Sequence, residues 1–112
     1  MTLVSVVETN VYLTRAMRLM SESEREAVID QVAANPMAGD LIPGSGGLRK
    51  MRIPLDGRGK RGGGRVIYWF HTERKPVVLL FVFAKNEASD LTPDQARKLA
   101  KAVSGMVDEF GG

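Results

Sequence analysis

Basic residues that could bind a polyanion are concentrated in one short segment of this sequence. The chain has 16 lysines and arginines, and seven of them lie between residues 48 and 65, a stretch with only one acid, Asp56. The seven are Arg49, Lys50, Arg52, Arg58, Lys60, Arg61 and Arg65. The rest of the chain has more acidic than basic residues. This asymmetry predicts a positive electrostatic field on one side of the molecule, where a polyanion could bind. A surface that serves only solubility has positive and negative charges mixed.

Residue types that the chain lacks narrow the chemistry further. The sequence contains no cysteine and one histidine, His71, so thiolate metal sites and cysteine nucleophiles are excluded and a zinc site is not expected. We expect no metal and no cofactor. His71 is predicted to flank a turn at the far end of its strand and to play no part as a general base.

Two phosphate-binding motifs are rejected on their context. Residues 57–62 match the dinucleotide pattern G-x-G-x-x-G, but they lie between two predicted strands, with no helix N-terminus to hold a pyrophosphate. The Gly59-Lys60 pair is followed by Arg61, where a P-loop needs serine or threonine for magnesium. The glycines are better explained as keeping a cationic loop flexible and allowing its backbone to approach a phosphate chain.

Three predicted strands must position the basic residues. Leu48–Pro54 alternates apolar and basic residues, Arg65–His71 is β-branched and aromatic, and Val77–Ala84 is a continuous apolar run. A short turn at residues 73–76 makes the last two an antiparallel hairpin.

This topology brings the basic side chains together. The end of the first strand, the start of the second and the end of the third meet at one edge of the sheet, so Arg52, Arg65 and Lys85 are expected to converge. Lys50 lies two residues before Arg52 on the same face, roughly 6 to 7 Å away. Trp69 shares a face with Arg65, but aromatic residues in such a strand more often belong to the core.

Arg65 starts a strand that is apolar on both faces, which is typical of a central strand. A buried guanidinium without a partner would be costly, so Arg65 needs either an acidic partner or a bound anion. Glu87 and Asp90 are the candidate acids. A phosphate is favoured because a single acid could not neutralise so many cationic neighbours.

The remaining elements complete a single α+β domain over residues 1–112. We predict a strand at Leu3–Val7, then a helix that buries Leu13, Met17 and Met20. Ser21 and Glu24 form a capping box that opens a second helix, which ends at Asn35-Pro36. Residues 37–47 are predicted to be a loop, and a final helix is predicted from Thr92-Pro93 to about Phe110. No segment predicts a membrane span or a secretion signal, so we expect a cytoplasmic protein.

The segments GGLRKMRIPLDGRGKRGGGRVIYWF and VVLLFVFAKNEASDLTPDQ, with NPMAGDLIPGSGGLRK before them, resemble the RelE/HigB family of toxin–antitoxin toxins. The resemblance spans nearly the whole chain. It implies a RelE-like, microbial-RNase-like fold, an antiparallel sheet with two N-terminal helices and a C-terminal helix. It also implies cleavage of messenger RNA in the ribosomal A site. The implied partners are the ribosome, mRNA and a cognate antitoxin, a helix-turn-helix DNA-binding protein encoded by an adjacent gene.

The resemblance also assigns roles to residues. Lys50 and Arg52 match basic residues of the family's first central strand, and Arg65 matches its phosphate-stabilising arginine. Lys85 matches a basic residue that ends the last strand. Asn86 stands where some relatives have a second arginine, and Leu91 where they have a tyrosine. The residues expected to be catalytic are Lys50, Lys60, Arg65 and Lys85. Those expected to bind RNA are Arg49, Arg52, Arg58, Arg61 and Asn86.

The mechanism expected is metal-independent: the RNA 2′-hydroxyl attacks the adjacent phosphate, Arg65 holds the phosphate oxygens, and Lys50 or Lys60 is the base. Lys85 would protonate or stabilise the leaving oxygen. Two alternatives stay open at this point. One is a ParE-like inhibitor of DNA gyrase on the same scaffold, and the other is a non-catalytic nucleic-acid-binding module.

Overall fold

The fold is a five-stranded sheet with helices on both faces. The computed structural model describes residues 4–55, 63–87 and 90–109. In chain order the elements are β1 (Val6–Glu8), α1 (Asn10–Leu19), α2 (Glu22–Ala34), β2 (Asp40–Leu41), β3 (Leu48–Ile53), β4 (Gly64–Trp69), β5 (Val77–Ala84) and α3 (Pro93–Glu109). This confirms the predicted α+β class with two N-terminal helices and a C-terminal helix.

The sheet has the strand order β1-β5-β4-β3-β2, which makes β4 its central strand. The pairs β2–β3, β3–β4 and β4–β5 are antiparallel, as predicted for the last two. The prediction of an antiparallel sheet is wrong for β1, which pairs in parallel with β5. The chain between β1 and β5 contains two helices and three strands, so the connection has the length that parallel strands require.

Two hydrophobic layers hold the sheet. On one face α1 and α2 pack against residues that include Met51, Val66 and Tyr68. On the other face, Val103 of α3 packs in a smaller cluster with residues that include Leu48 and Trp69. We call the second face the α3 face.

Period-2 alternation along β3 puts Lys50 and Arg52 on this face, two and four residues beyond Leu48. The α3 cluster therefore occupies one end of this face, and the basic residues of β3 lie toward the other.

The predicted buried stripe of α1 is confirmed at Met20, which is buried at the end of the helix, but it is wrong for Met17. The side chains buried from this helix are Tyr12, Ala16 and Leu19, whereas Met17 is 63% exposed. Both stripes have the i, i+4, i+7 spacing of a helix face, so periodicity alone does not choose between them. The buried stripe is the one that places the aromatic ring of Tyr12 against the sheet.

The ends of the helices follow the sequence closely. The Ser21 hydroxyl accepts from the Glu24 N–H, and the Glu24 carboxylate accepts from the Ser21 N–H, which confirms the predicted capping box. Thr92 and Gln95 exchange the same two bonds at the start of α3. These caps supply partners for N–H groups that the first turn of a helix leaves free.

Among helices in the described part of the chain, none has the length and apolar character needed to cross a membrane.

Arg15 of α1 protects an open stretch of sheet edge. Strand β1 pairs only with Val77–Leu79, so β5 continues beyond it with a free edge. The Arg15 Nε donates to the Val82 carbonyl at 2.6 Å, and its guanidinium lies 4.6 Å from the centre of the Phe81 ring. Covering an edge in this way blocks pairing with another strand.

Gly63 sets the entry into β4 and provides a first testable prediction. Its φ is +68°, and a Cβ at this position would lie 2.3 Å from the Ile53 carbonyl oxygen. We expect Gly63→Ala to lower the free energy of unfolding by about 3 kcal/mol, from left-handed strain of about 1–2 kcal/mol plus the clash. Gly44→Ala is the control, because Gly44 has φ +70° with open space around it. Urea denaturation should show a smaller loss for Gly44→Ala, and equal losses would refute the clash.

Candidate basic cleft

A cleft of about 530 Å³ lies where β2 ends beside β3. We call it the basic cleft, because its walls carry three of the predicted site residues, Lys50, Arg52 and Arg65. Its other lining residues are Gln31, Ala38, Asp40, Met51 and Asp90. Strand β2 is only two residues long and pairs with Arg49 and Lys50. In the described part of the chain, no strand pairs with this edge of β3 beyond Lys50.

Arg52 and Arg65 face each other across neighbouring strands. Their Cα atoms are paired in the β3–β4 register, so both side chains leave the same face of the sheet. Like charges directly opposite in a sheet destabilise it. Within the described residues neither arginine has an ion pair, and the Arg65 guanidinium donates only to the carbonyl of Gly64, at 3.0 Å. An anion placed between the two guanidinium groups would relieve this repulsion.

Lys50 is held by a carboxylate at the boundary of the cleft. Its ammonium donates to both oxygens of Asp90, at 3.1 and 3.0 Å. The side chains of Lys50 and Asp90 are 35% and 57% exposed, so the pair is open to competition by another anion. The hydrogen bond from Lys50, the Leu91 N–H and the field of Arg65 lower the pKa of Asp90. Asp90 is therefore anionic at neutral pH and lies beside the cations of the cleft.

Neither of the two carboxylates suggested as partners of Arg65 forms an ion pair with it in the described structure. Glu87 pairs instead with Arg15 and Arg18, at 3.0 and 3.6 Å. Asp90 pairs with Lys50 and reaches Arg65 only through its field. In the described part of the chain Arg65 thus lacks the carboxylate partner that a purely structural role would require.

Glu87 shapes the turn that carries Lys85. Its carboxylate accepts from the Ala84 N–H at 2.8 Å and from Arg15 at 3.0 Å, and its own N–H donates to the Ala84 carbonyl. The Lys85 N–H donates to the Gly63 carbonyl at 3.0 Å. The backbone of Lys85 is therefore held beside the start of β4, whereas its side chain is exposed and is not among the residues that line the basic cleft.

This network leads to a prediction about pH. The Ala84 N–H, followed by Arg15 and Arg18, lowers the pKa of Glu87 below its ordinary value of 4.5. A carboxylate whose folded-state pKa is depressed stabilises the fold above its unfolded-state pKa, and that contribution is lost as the pH falls through the folded-state value. Glu87→Gln keeps an acceptor for Ala84 and removes the charge. We expect this variant to be less stable than the parent at pH 6 and nearly equal to it at pH 3.

Urea denaturation at the two pH values measures this difference. Glu73→Gln is the matched control, because Glu73 is exposed in the turn between β4 and β5. It should leave stability nearly unchanged at both values. A gap between parent and Glu87→Gln that persists at pH 3 would mean that the charge of Glu87 does not act through its ion pairs.

Arg49 lies away from the basic cleft. Alternation along β3 turns it to the opposite face from Lys50 and Arg52. Its guanidinium donates to the Gly39 carbonyl at 2.8 Å, next to the Tyr68 hydroxyl that accepts from the Gly39 N–H. Arg49 thus links the segment before β2 to the sheet through this hydrogen bond.

The other predicted site residues divide into two groups. Asn86 is exposed in the turn that follows Lys85. Arg58, Lys60 and Arg61 lie outside the described residues.

His71 is exposed beyond the far end of β4, where its ring stacks on Trp69 with centroids 6.0 Å apart, and Trp69 itself is buried. The position of His71 agrees with its predicted place beside a turn, and the burial of Trp69 agrees with a core role.

Two polar residues of the cleft, Gln31 and Asp40, were not predicted from the sequence. Gln31 comes from α2, and Asp40 is paired with Lys50 through β2. The segment before β3 was interpreted as a loop, so nothing suggested that one of its acids lies opposite Lys50. A two-residue strand has too weak a pattern to be recognised.

The fold and the cleft together define a class of protein: a small α+β domain whose sheet presents a cationic cleft suited to phosphate groups. The family model of the RelE toxin of the RelE/RelB toxin–antitoxin system matches residues 9–110, and the chain belongs to this family. Among solved structures, the chain is similar to a double arginine-to-alanine mutant of the E. coli toxin RelE in the free state. The match has a TM-score of 0.55 and 16% identity, and it covers 80% of this chain and 90% of that one.

The match to the E. coli toxin supports the fold alone, because the two sequences are so different. Membership of the family makes the chain a RelE-like toxin of a toxin–antitoxin system and implies an antitoxin as its partner. Both conclusions agree with the resemblance found in the sequence.

Proposed function

We propose that this toxin is a ribosome-dependent mRNA endoribonuclease that inhibits translation and growth. The observation that carries the proposal is the pair formed by Arg52 and Arg65, two cations that face each other with no carboxylate between them in the described structure. A scissile phosphate is an anion whose charge and two non-bridging oxygens suit the planar forks of two guanidinium groups. Because ribosomes and mRNA are cytoplasmic, the proposal places the action of the toxin there.

The proposed reaction needs no metal. The 2′-hydroxyl of the RNA attacks the adjacent phosphorus, a new P–O2′ bond forms, and the bond from phosphorus to the 5′-oxygen breaks. A base takes the proton of the 2′-hydroxyl, and an acid supplies a proton to the 5′-oxygen, giving a cyclic phosphate and a 5′-hydroxyl. Arg65, assisted by Arg52, holds the non-bridging oxygens and stabilises the charge that grows on them in the transition state.

The proton transfers are assigned to lysines. Lys85, fixed beside the start of β4, is the proposed donor to the leaving oxygen. Lys50 and Lys60 are the two proposed bases. Lys50 donates to Asp90 as an ammonium in the free protein, so to act as the base it must first leave this carboxylate and lose a proton to solvent. Arg58, Arg61 and Asn86 are proposed to bind the RNA, which predicts a steep dependence of binding on salt.

The proposed partner that neutralises the toxin is a helix-turn-helix antitoxin encoded by an adjacent gene. The experiment is to induce the toxin in cells with and without this gene and to map the 5′ ends of the mRNA pool. We expect new 5′ ends within coding regions that disappear when the antitoxin is present. An intact mRNA pool with accumulating DNA breaks would contradict the proposal and indicate a gyrase inhibitor, and RNA binding without growth arrest would indicate a non-catalytic module.

A further inference from the structure

A second cleft continues from the basic cleft along α3. It has a volume of about 740 Å³ and lies between residues 42–45 and the first half of α3. Lys50 and Asp90 line both clefts. We call the second one the helix cleft. Its size is within the range of pockets that enclose a small ligand, roughly 300–1,000 Å³.

The wall opposite α3 is anchored to the sheet by hydrogen bonds. The Ser45 hydroxyl is buried, accepts from the Leu48 N–H at 3.1 Å and donates to the Ile42 carbonyl. The Trp69 indole N–H donates to the Gly46 carbonyl at 3.1 Å. These bonds tie the loop to the sheet at two places, so the helix cleft is formed before any ligand arrives.

The helix cleft combines an apolar floor with a cationic rim. Its apolar lining residues are Ile42, Pro43, Leu91, Pro93, Ala96 and Ala100. Arg97 and Lys101 lie one turn apart on α3 and form the rim. Arg97 is paired with Asp94. Lys101 is exposed and has no ion pair within the described residues, so it is available to a ligand.

We propose that the helix cleft binds the nucleotide next to the scissile phosphate, with its base against the apolar floor and its phosphate at Lys101. The proposal rests on the proposed function, because it takes the basic cleft as the place of the scissile phosphate. The two clefts share Lys50, so a chain that enters one continues into the other. Single-stranded RNA fits both surfaces, because each of its units has a flat apolar base and an anionic phosphate.

Two lysines of α3 allow a matched test. Lys98 and Lys101 are both exposed on the same helix, but only Lys101 lines the helix cleft. Lys98→Ala and Lys101→Ala remove the same charge from the same helix, so long-range attraction to RNA falls equally in both. Any further loss in Lys101→Ala reports a local contact.

The probe is a single-stranded RNA oligonucleotide with 2′-O-methyl groups, which cannot be cleaved by attack of a 2′-hydroxyl. Fluorescence anisotropy at several salt concentrations gives the dissociation constant. We expect Lys101→Ala to bind at least five-fold more weakly than Lys98→Ala. Its slope of log K against log salt should be smaller by about 0.7, the value for one phosphate contact on a single strand.

A series of oligonucleotides, each with one abasic position, tests the apolar floor. Loss of the base at one particular position should weaken binding to the parent protein more than loss at the other positions. Equal binding by the two lysine variants, or no dependence on any base, would overturn the proposal. Unchanged RNA binding by Lys101→Ala together with weakened antitoxin binding would also overturn it and assign the cleft to a protein partner.

Cleavage is measured separately, on ribosomes programmed with an mRNA. If the parent toxin leaves mRNA intact while Lys101→Ala still binds RNA more weakly than Lys98→Ala, the helix cleft is an RNA site and the proposed catalysis fails. If the parent cleaves mRNA and the two variants bind RNA equally, the catalysis stands and the proposed role of the helix cleft fails.

Discussion

Arg65→Ala is expected to lower the rate of mRNA cleavage by about 10²- to 10³-fold, the effect of removing one preorganised donor from a developing oxyanion. Ribosome binding should change little, because Arg65 is one cation among many in the basic segment. Arg65→Lys should recover only part of the rate, since an ammonium keeps the charge but cannot hold two phosphate oxygens in a planar fork. Single-turnover cleavage on programmed ribosomes, with ribosome binding measured in parallel, gives both quantities.

The stability of Arg65→Ala separates a functional role from a structural one. Because Arg65 faces Arg52 directly, its removal relieves a repulsion between like charges. We therefore expect an unfolding free energy equal to or slightly above that of the parent, combined with the loss of activity. Arg74→Ala is the matched control, because Arg74 is exposed in the turn at the far end of β4. Normal cleavage by Arg65→Ala would refute the proposed role of this arginine.

A fold that keeps two like charges opposite each other is locally frustrated, and frustration of this kind is expected at functional sites. The pair is visible in the sequence only after the register of β3 and β4 is known. Period-2 alternation placed Lys50 and Arg52 on one face, and the antiparallel arrangement of the strands brought Arg65 near them. The same alternation also indicates that Arg49 faces the other way, a signal that charge counting overlooked.

The features that the sequence did not predict depend on contacts between distant segments. The Lys50–Asp90 pair joins residues 40 positions apart, and nothing local to either residue favours it. Strand β2 exists because Asp40 and Leu41 find partners on β3, and two residues carry no recognisable pattern. The stripe of α1 was misplaced for a similar reason, since only packing against the sheet distinguishes Tyr12 and Ala16 from Leu13 and Met17.

Strands β3 to β5, in contrast, were predicted nearly to the residue. Their signals are local: alternation in β3, β-branched and aromatic residues in β4, and a continuous apolar run in β5. A central strand is buried on both faces, and its composition alone shows this. The sequence therefore predicts the scaffold of the cleft better than it predicts which side chains pair within it.

Two buried tyrosines, Tyr68 and Tyr12, are expected to respond differently when the hydroxyl is removed, and the change at Tyr68 should strongly lower stability. The Tyr68 hydroxyl donates to the Pro36 carbonyl at 2.7 Å and accepts from the Gly39 N–H at 2.8 Å, and its ring is fully buried. Tyr68→Phe would leave both backbone groups without a partner. Since each unsatisfied buried group costs about 1–3 kcal/mol, we expect a loss of about 2–4 kcal/mol in the free energy of unfolding. The segment before β2 should loosen, and Asp40 with it, which hydrogen exchange at Gly39 would detect.

Tyr12→Phe makes the same chemical change, but we expect it to leave the free energy of unfolding unchanged or to raise it. The Tyr12 hydroxyl is buried and has no hydrogen-bond partner in the described part of the structure, and burial together with Glu8 raises the pKa of Tyr12. Removing a polar atom that makes no bond takes away its desolvation penalty and leaves no group stranded, so stability should be equal or higher. Denaturant unfolding of the two variants measures the contrast. A loss for Tyr12→Phe as large as that for Tyr68→Phe would contradict this prediction, because it would mean that the Tyr12 hydroxyl also makes a stabilising bond.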